Sequence, residues 1–333
     1  MKPLIIFVLA FLFIASCSPK QPIVTGPYAG STLPGDSALL FAPGLVNTGI
    51  YTRDICITPD GNEVYFAVNV GGFSYSAIIC VKQIDGKWTQ PEVTDFSSNP
   101  EFKYFEPFIS PDGKHFYYAT DETEGPKPEK FSSDIWMMDR TETGWGKPYK
   151  MPESINSQYS EYFPSVAANG NFYFTREDPD GNFIYQAKLE DGIYQKAERM
   201  PMAINAGRAR FNAVISANDS MMIVPAYGLA DSFGATDYYI SFKNQDGIWS
   251  ELINLGPRVN STSRDEYSAN WSPDGKYLFF MSSKAKKVDS PIIRFQDLQE
   301  IYLRPENGKP NIYWIKSDFI SALKEKAVYP QTE

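Results

Sequence analysis

Five short runs of aromatic and aliphatic residues stand at regular intervals along the chain: Val64-Tyr65-Phe66, Phe116-Tyr117-Tyr118, Phe172-Tyr173-Phe174, Met221-Met222-Ile223 and Tyr277-Leu278-Phe279-Phe280. Each follows a polar turn of one type. The turns are Ile57-Thr58-Pro59-Asp60-Gly61, Ile109-Ser110-Pro111-Asp112-Gly113, Val166-Ala167-Ala168-Asn169-Gly170, Ile215-Ser216-Ala217-Asn218-Asp219 and Trp271-Ser272-Pro273-Asp274-Gly275, with Asp or Asn recurring after 52, 57, 49 and 56 residues. Pro presets φ at the second turn position, Asp or Asn bonds nearby backbone, and Gly accepts positive φ, so the pattern predicts five β-hairpins. A second marker follows four of them: Asp85-Gly86-Lys87-Trp88, Thr143-Gly144-Trp145, Asp191-Gly192-Ile193-Tyr194 and Asp246-Gly247-Ile248-Trp249. Another strand-like run precedes each marker, at 77–81, 134–138, 183–187 and 238–242. Each unit therefore reads as four strands, A to D.

Four antiparallel strands repeated about every 50 residues predict an all-β fold, a β-propeller of four-stranded antiparallel blades. The Pro-Asp turns followed by aromatic strands resemble the WD40-like repeats of the PD40, or TolB, type, over about residues 37–323. That resemblance implies a propeller and leaves function open. In the fifth unit Asn311-Ile312-Tyr313-Trp314-Ile315 is strand C, and Ser317-Asp318 caps a short helix over 319–326 where strand D belongs. The apolar N-terminal run 38–42 has the right length to supply the missing strand and close the ring. Five blades are expected, or six if the long stretch 284–310 contributes strands of its own.

Composition agrees. The 333 residues include 23 Phe, 21 Tyr, 25 Pro and 23 Gly, which suits short strands and tight turns. A formal net charge of -9 and the lack of a basic cluster exclude nucleic acid as a partner. Residues 4–14 form an apolar run behind Lys2 and are followed by small residues, the layout of a secretory signal peptide. The run is shorter than the roughly 20 residues a membrane span needs. Its end, Ile14-Ala15-Ser16-Cys17, resembles the bacterial lipobox, which implies cleavage before Cys17 and lipidation there. The expected organisation is a signal peptide at 1–16, a lipidated N-terminus and flexible linker at 17–35, one propeller domain at 36–326 and a tail at 327–333. No acidic run follows Cys17, so the expected location is the outer membrane, facing the periplasm. Cys56 and Cys80 lie in apolar strand-like runs, where a disulfide is conceivable and two core thiols fit better.

In such a fold the A/B and C/D turns share one face, and the B/C and D/A connections share the other. The first are all tight, and the second vary in length up to the stretch 284–310, so the binding surface is expected on the loop face. Strand A opens onto that face six to eight residues before each turn Asp or Asn. Those columns supply the candidate ligand-binding ring: Arg53, Asp54, Tyr104, Glu106, Glu161, Tyr162, Arg210, Asn212, Glu266 and Tyr267. Mixed charge and aromatics suit a sugar, a peptide or a partner loop. The competing reading pairs Glu106, Glu161 and Glu266 with Arg53 and Arg210 and makes the ring structural.

No catalytic residue is assigned. The single histidine, His115, follows a turn on the opposite face, so a Ser/His/Asp triad on the loop face has no base. No metal site and no cofactor are expected: His and Cys are too few for zinc, no Gly-rich phosphate loop is present, and the acidic stretches at 121–124 and 177–181 lack calcium-loop spacing. The favoured function is a non-catalytic binding or scaffold module, a monomeric propeller that docks a protein or glycan component of the cell envelope. The alternative is a glycan-binding propeller, or a glycan-cleaving one working through two carboxylates.

Overall fold

The computed structural model describes residues 23–123 and 125–331 and forms a five-bladed β-propeller. Blade 1 comprises Tyr51–Ile57, Glu63–Val70, Tyr75–Ile84 and Glu92–Val93, and blade 2 comprises Tyr104–Ile109, His115–Thr120, Asp134–Thr141 and Tyr149–Lys150. Blade 3 is Ser160–Val166, Phe172–Asp178, Gly181–Ala187 and Glu198–Arg199. In blade 4 strand A is split into Ala209–Arg210 and Val214–Ile215, followed by Met221–Tyr227, Thr236–Phe242 and Ile253–Asn254. Blade 5 takes Ala269–Trp271, Tyr277–Ser282 and Asn311–Lys316 from the C-terminal end, and its outer strand, Leu39–Leu40, from the N-terminal end. Leu39 pairs with Trp314 and Leu40 with Tyr313, so the ring closes as the unclaimed run 38–42 suggested.

The turns form for the reasons their residues give. In blade 2 Ser110 Oγ donates to Asp112 Oδ1 at 2.6 Å, the Lys114 amide donates to the same oxygen at 3.1 Å, and Gly113 takes φ 72°. Thr58 with Asp60, Ser216 with Asn218 and Ser272 with Asp274 repeat the hydroxyl contact. Strand period then decides the packing, because alternate side chains leave a strand on opposite faces. On strand B of blade 2 Phe116 meets Tyr65 of blade 1, ring centroids 4.9 Å apart, and Tyr117 meets Phe172 of blade 3 at 5.2 Å. The consecutive aromatics thus fill two different interblade cores, and each fully buried ring contributes about 1.5–3 kcal/mol.

The two termini depart from the sequence reading, and the six-bladed alternative does not form. The expected linker at 17–35 is docked rather than flexible from Val24 onward: the Trp88 amide donates to the Val24 carbonyl at 2.9 Å, Ala29 is buried, and the Tyr28 ring lies 5.3 Å from that of Trp314. The aromatics of blades 5 and 1 offer it an apolar seat. The expected tail at 327–333 also touches the body, since the Glu251 amide donates to the Val328 carbonyl at 2.8 Å. The stretch 284–310 adds no blade; it holds helix α1, Phe295–Leu303. At the end of the chain a 3-10 turn at Ser317–Phe319 leads into α2, Ile320–Lys324. Among the described residues no helix is long and apolar enough to cross a membrane. The signal segment and Cys17 lie outside the described residues.

Candidate functional site

The A strands of blades 1 to 4 carry the same irregularity. Their register against strand B shifts between Arg53 and Cys56, between Phe105 and Phe108, and between Tyr162 and Ser165, and strand A of blade 4 breaks between Arg210 and Val214. Inside each step one residue turns left-handed: Asp54 at φ 56°, Glu106 at 57°, Phe163 at 53° and Asn212 at 53°, with Ser268 at 84° in the corresponding place of blade 5. A bulge bends the strand and re-aims a side chain, and positive φ at a non-glycine residue is strained. Here five such residues, all six positions before the turn Asp or Asn, point their polar groups at one another around the axis.

The resulting network welds all five blades. Arg53 Nη2 lies 2.5 Å from Glu106 Oε1, and Arg53 Nε lies 2.5 Å from Asp54 Oδ2. Asp54 accepts from the Ser268 hydroxyl of blade 5 and from the Glu106 amide of blade 2 at 3.3 Å. Glu106 accepts the Phe163 amide of blade 3 at 2.6 Å and, across the axis, Asn212 Nδ2 of blade 4 at 3.1 Å. Burial pushes the Glu106 carboxyl up to about 8, against the pull of Arg53 and with the help of Asp54. Burial alone would lower the Arg53 pKa, but Asp54, Tyr267 and Glu106 outweigh it and raise it.

The other ring residues turn into their own loops. Glu161 accepts the Ser157 amide at 3.0 Å, the Ser157 hydroxyl at 2.5 Å and Arg176 Nε at 2.6 Å. Glu266 accepts the Ser261 amide at 2.9 Å, the Ser261 hydroxyl at 2.5 Å and Ser282 Oγ at 2.8 Å. Burial raises both carboxyl pKa values against these donors. Of the anticipated pairings, only Arg53 with Glu106 forms; Arg176 takes Glu161, and serines take Glu266. Tyr104 donates to Glu122 at 2.9 Å, Tyr267 bonds Tyr51 through the hydroxyls, and the Arg53 guanidinium sits 5.0 Å from the Tyr267 ring centre. Tyr162 and Tyr267 stay partly exposed, as does Phe211, whose ring lies 5.7 Å from that of Tyr267. Arg210 reaches only the Gly207 carbonyl, at 3.4 Å.

One set of residues escaped the sequence reading altogether. Asn47, Asn156, Asn205 and Asn260 are buried, and each clamps its D/A loop onto a strand-C residue: Asn205 Oδ1 accepts the Ile184 amide at 2.8 Å, while its Nδ2 donates to the Ile184 and Met200 carbonyls at 3.1 and 2.8 Å. The signal was present, as Ile or Val directly before Asn in Val46-Asn47, Ile155-Asn156, Ile204-Asn205 and Val259-Asn260. Helix α1 is the other surprise. It stands on the loop face and buries none of its residues, leaving Phe295 69%, Tyr302 63% and Leu303 67% exposed beside Ile293 at 84%. On the opposite face a cleft of about 600 Å³ lies between blades 4 and 5, floored by Met221, Phe242, Trp271 and Ile320. Cys56 and Cys80 are free and buried, and His115 Nδ1 lies 2.9 Å from Asp139. No cluster of three or more His, Cys, Asp or Glu that could hold a metal occurs among the described residues.

Against known proteins the chain stands apart in sequence. No protein-family model matches it, and no curated protein does. Solved structures resemble it at low identity. TolB from Acinetobacter baumannii matches at 17% identity and a TM-score of 0.46, covering 81% of this chain and 55% of its own, so this chain spans about half of that protein. A GH43 endo-arabinanase from Bacillus licheniformis matches at 12% and 0.46, over 82% of this chain and 94% of its own. Regucalcin, a calcium-binding protein from Agrobacterium tumefaciens, matches at 13% and 0.45, over 85% and 94%. No activity passes from them to this chain.

Proposed function

We propose that this chain is a non-catalytic binding module built of PD40-type repeats, tethered to an envelope membrane through lipid on Cys17, that docks a protein through its loop face. The observation that carries the reading is helix α1, whose exposed apolar side chains cover no part of the chain's own core. Exposed apolar surface of this kind marks an interaction site. Phe295, Leu298 and Tyr302 follow the i, i+3, i+7 spacing with which a helix enters an apolar groove. The stretch 284–309 holds six basic and four acidic side chains in a chain of net charge -9, so the partner's groove has an acidic rim.

The placement of the N-terminal segment argues for a protein rather than a membrane as the occupant. Thr25 bridges to Lys87 at the C/D turn of blade 1, and Tyr28 donates to Asp274 at the A/B turn of blade 5, both on the tight-turn face. Residues 17–23 reach at most about 25 Å. With the proposed lipid on Cys17, this anchoring supports an arrangement in which the loop face is turned away from the bilayer. Glycan cleavage needs two carboxyl groups facing a sugar, whereas the lone pairs of Glu106, Glu161 and Glu266 are directed at protein donors.

A photocrosslinking residue at Phe295 in intact membranes tests the reading, with Lys114 on the opposite face as control. The expected result is a discrete protein adduct from position 295, absent from position 114 and lost when Leu298 and Tyr302 become Asp. Adducts only with lipid, or adducts insensitive to those changes, overturn it.

A further inference from the structure

The repeats supply their own controls at the position eight residues before each turn Asp or Asn. Thr52 donates to the Val46 and Ile50 carbonyls of its loop at 3.4 and 3.3 Å, and Tyr104 donates to Glu122. Glu161 and Glu266 each accept an amide and a hydroxyl from their own loops. Blade 4 alone puts a cation there, Arg210, and leaves it unanswered. The residue is 6% exposed, its Nη1 has only the distant Gly207 carbonyl, and its Nε is shielded from solvent without an acceptor. No carboxylate pairs with it among the described residues.

Its surroundings sharpen the anomaly. The guanidinium carbon lies 4.0 Å from the Phe183 ring centre, and that of Arg199 lies 3.8 Å from the same ring. Arg199 is committed to Asp178 at 2.6 Å and Asp180 at 3.3 Å. Burial first, and the charge of Arg199 second, press the Arg210 pKa down, and the more distant charge of Asp178, already held by Arg199, only partly offsets them. Arg208, two residues earlier, is exposed and in no ion pair among the described residues. A guanidinium withdrawn from water with no carboxylate in contact is expensive to hold, and its under-used N–H donors match an oxyanion.

We infer that Arg210, with Arg208 at its mouth, forms an oxyanion subsite at the junction of blades 3 and 4, taking a carboxylate or phosphate group from the docked partner. The inference deepens the docking reading and rests on it. The test uses the chain from residue 18 onward, which retains every described strand, titrated with sodium acetate, sodium phosphate and sodium chloride at matched ionic strength while the arginine Nε–H resonances are followed by NMR. The Arg210 signal is expected to shift saturably with acetate or phosphate and not with chloride, and whichever saturates at lower concentration names the group. Arg210→Glu restores the residue type of blades 3 and 5 and should keep the far-ultraviolet spectrum while losing the response; Arg210→Met is the second variant. Arg208→Ala should raise the half-saturation concentration about three- to ten-fold. No saturable shift at Arg210, or one that survives in Arg210→Glu as a global shift of the remaining arginines, overturns the subsite. The crosslink from position 295 reads the docking face separately. An adduct without an anion response removes the subsite alone, and an anion response without an adduct removes the docking reading alone.

Discussion

Arg53 reaches from blade 1 to Glu106 of blade 2 at 2.5 Å, with side chains 9% and 3% exposed, and the same carboxyl then holds blades 3 and 4. The pair is a hub rather than a surface bridge. Where Glu106 is ionised, above about pH 8, removing one partner from the buried pair strands the other, at about 3–5 kcal/mol, whereas replacing both with apolar side chains is far milder. Arg53→Met should therefore destabilise by that amount, and Arg53→Met with Glu106→Leu should recover part of the loss. A double-mutant cycle in urea checks this, and additive effects would show that the two side chains act independently.

Stability should depend on pH in two opposing ways. Glu106 is raised from 4.5 to about 8 by burial, so the native state holds its proton longer than the unfolded chain; its contribution is complete below about 4.5 and declines as pH rises towards 8. Glu161 and Glu266, raised by burial, act with the same sign. For Asp60, Asp112 and Asp274 burial works upward, but hydroxyl and amide donors prevail and hold them below 3.8, so their contribution is present above that value and fades on acidification. Melting temperature should peak in mildly acidic buffer and fall towards pH 9, and Glu106→Gln should flatten the alkaline limb. A profile that rises steadily to pH 9 would contradict the assignment.

Asn205→Ala removes partners from one amide and two carbonyls, all buried. The expected cost is about 1–3 kcal/mol. Asn205→Asp keeps the acceptor but aims a carboxylate at two carbonyl oxygens and should be at least as harmful near neutral pH. Chemical denaturation of the two variants decides; a neutral Asn205→Asp would mean that the loop moves freely from strand C.

Phe41 is fully buried against Phe279 and Trp314, at ring-centre distances of 5.0 and 5.3 Å. Phe41→Ala should cost about 3–5 kcal/mol. Deleting residues 23–42 exposes the edge of Asn311–Lys316, and an open edge invites pairing between chains. The truncated protein should associate in sedimentation experiments more than the intact chain does, and a peptide covering 36–47 should reverse that association.

Burial of both thiols raises the pKa of Cys80 to about 12 and pushes that of Cys56 well above the ordinary thiol value. Neither should react with a thiol reagent near neutral pH until the protein unfolds, as mass spectrometry across a urea series would show.

The fold was legible because its strands and turns are local. Pro111-Asp112-Gly113 states a turn in three residues, and Phe116-Tyr117-Tyr118 states a strand buried on both faces. The candidate ring was located but its chemistry was not. Nothing in Glu106 or Phe163 announces positive φ, which is imposed by the bulge, and the partner of Glu161 depends on Arg176 from the next strand. The docking of 24–35 was hidden for a different reason. A stretch rich in Pro and Gly reads as a linker, and only the assembled surface of Trp88, Tyr277 and Trp314 gives Val24 and Tyr28 something to cover.

The strand pairing of Leu39 with Trp314 has a consequence for the order of events during synthesis. The two residues are far apart along the chain, so the first of the described strands to be made is the last to find its partner. Until Trp314 emerges, blade 5 has no outer strand and every earlier blade waits in an unlatched arc. A chain stopped short of Asn311–Lys316 lacks a complete fifth blade as well as its closure. Closure of the ring is thereby tied to synthesis of the segment that carries Tyr313 and Trp314.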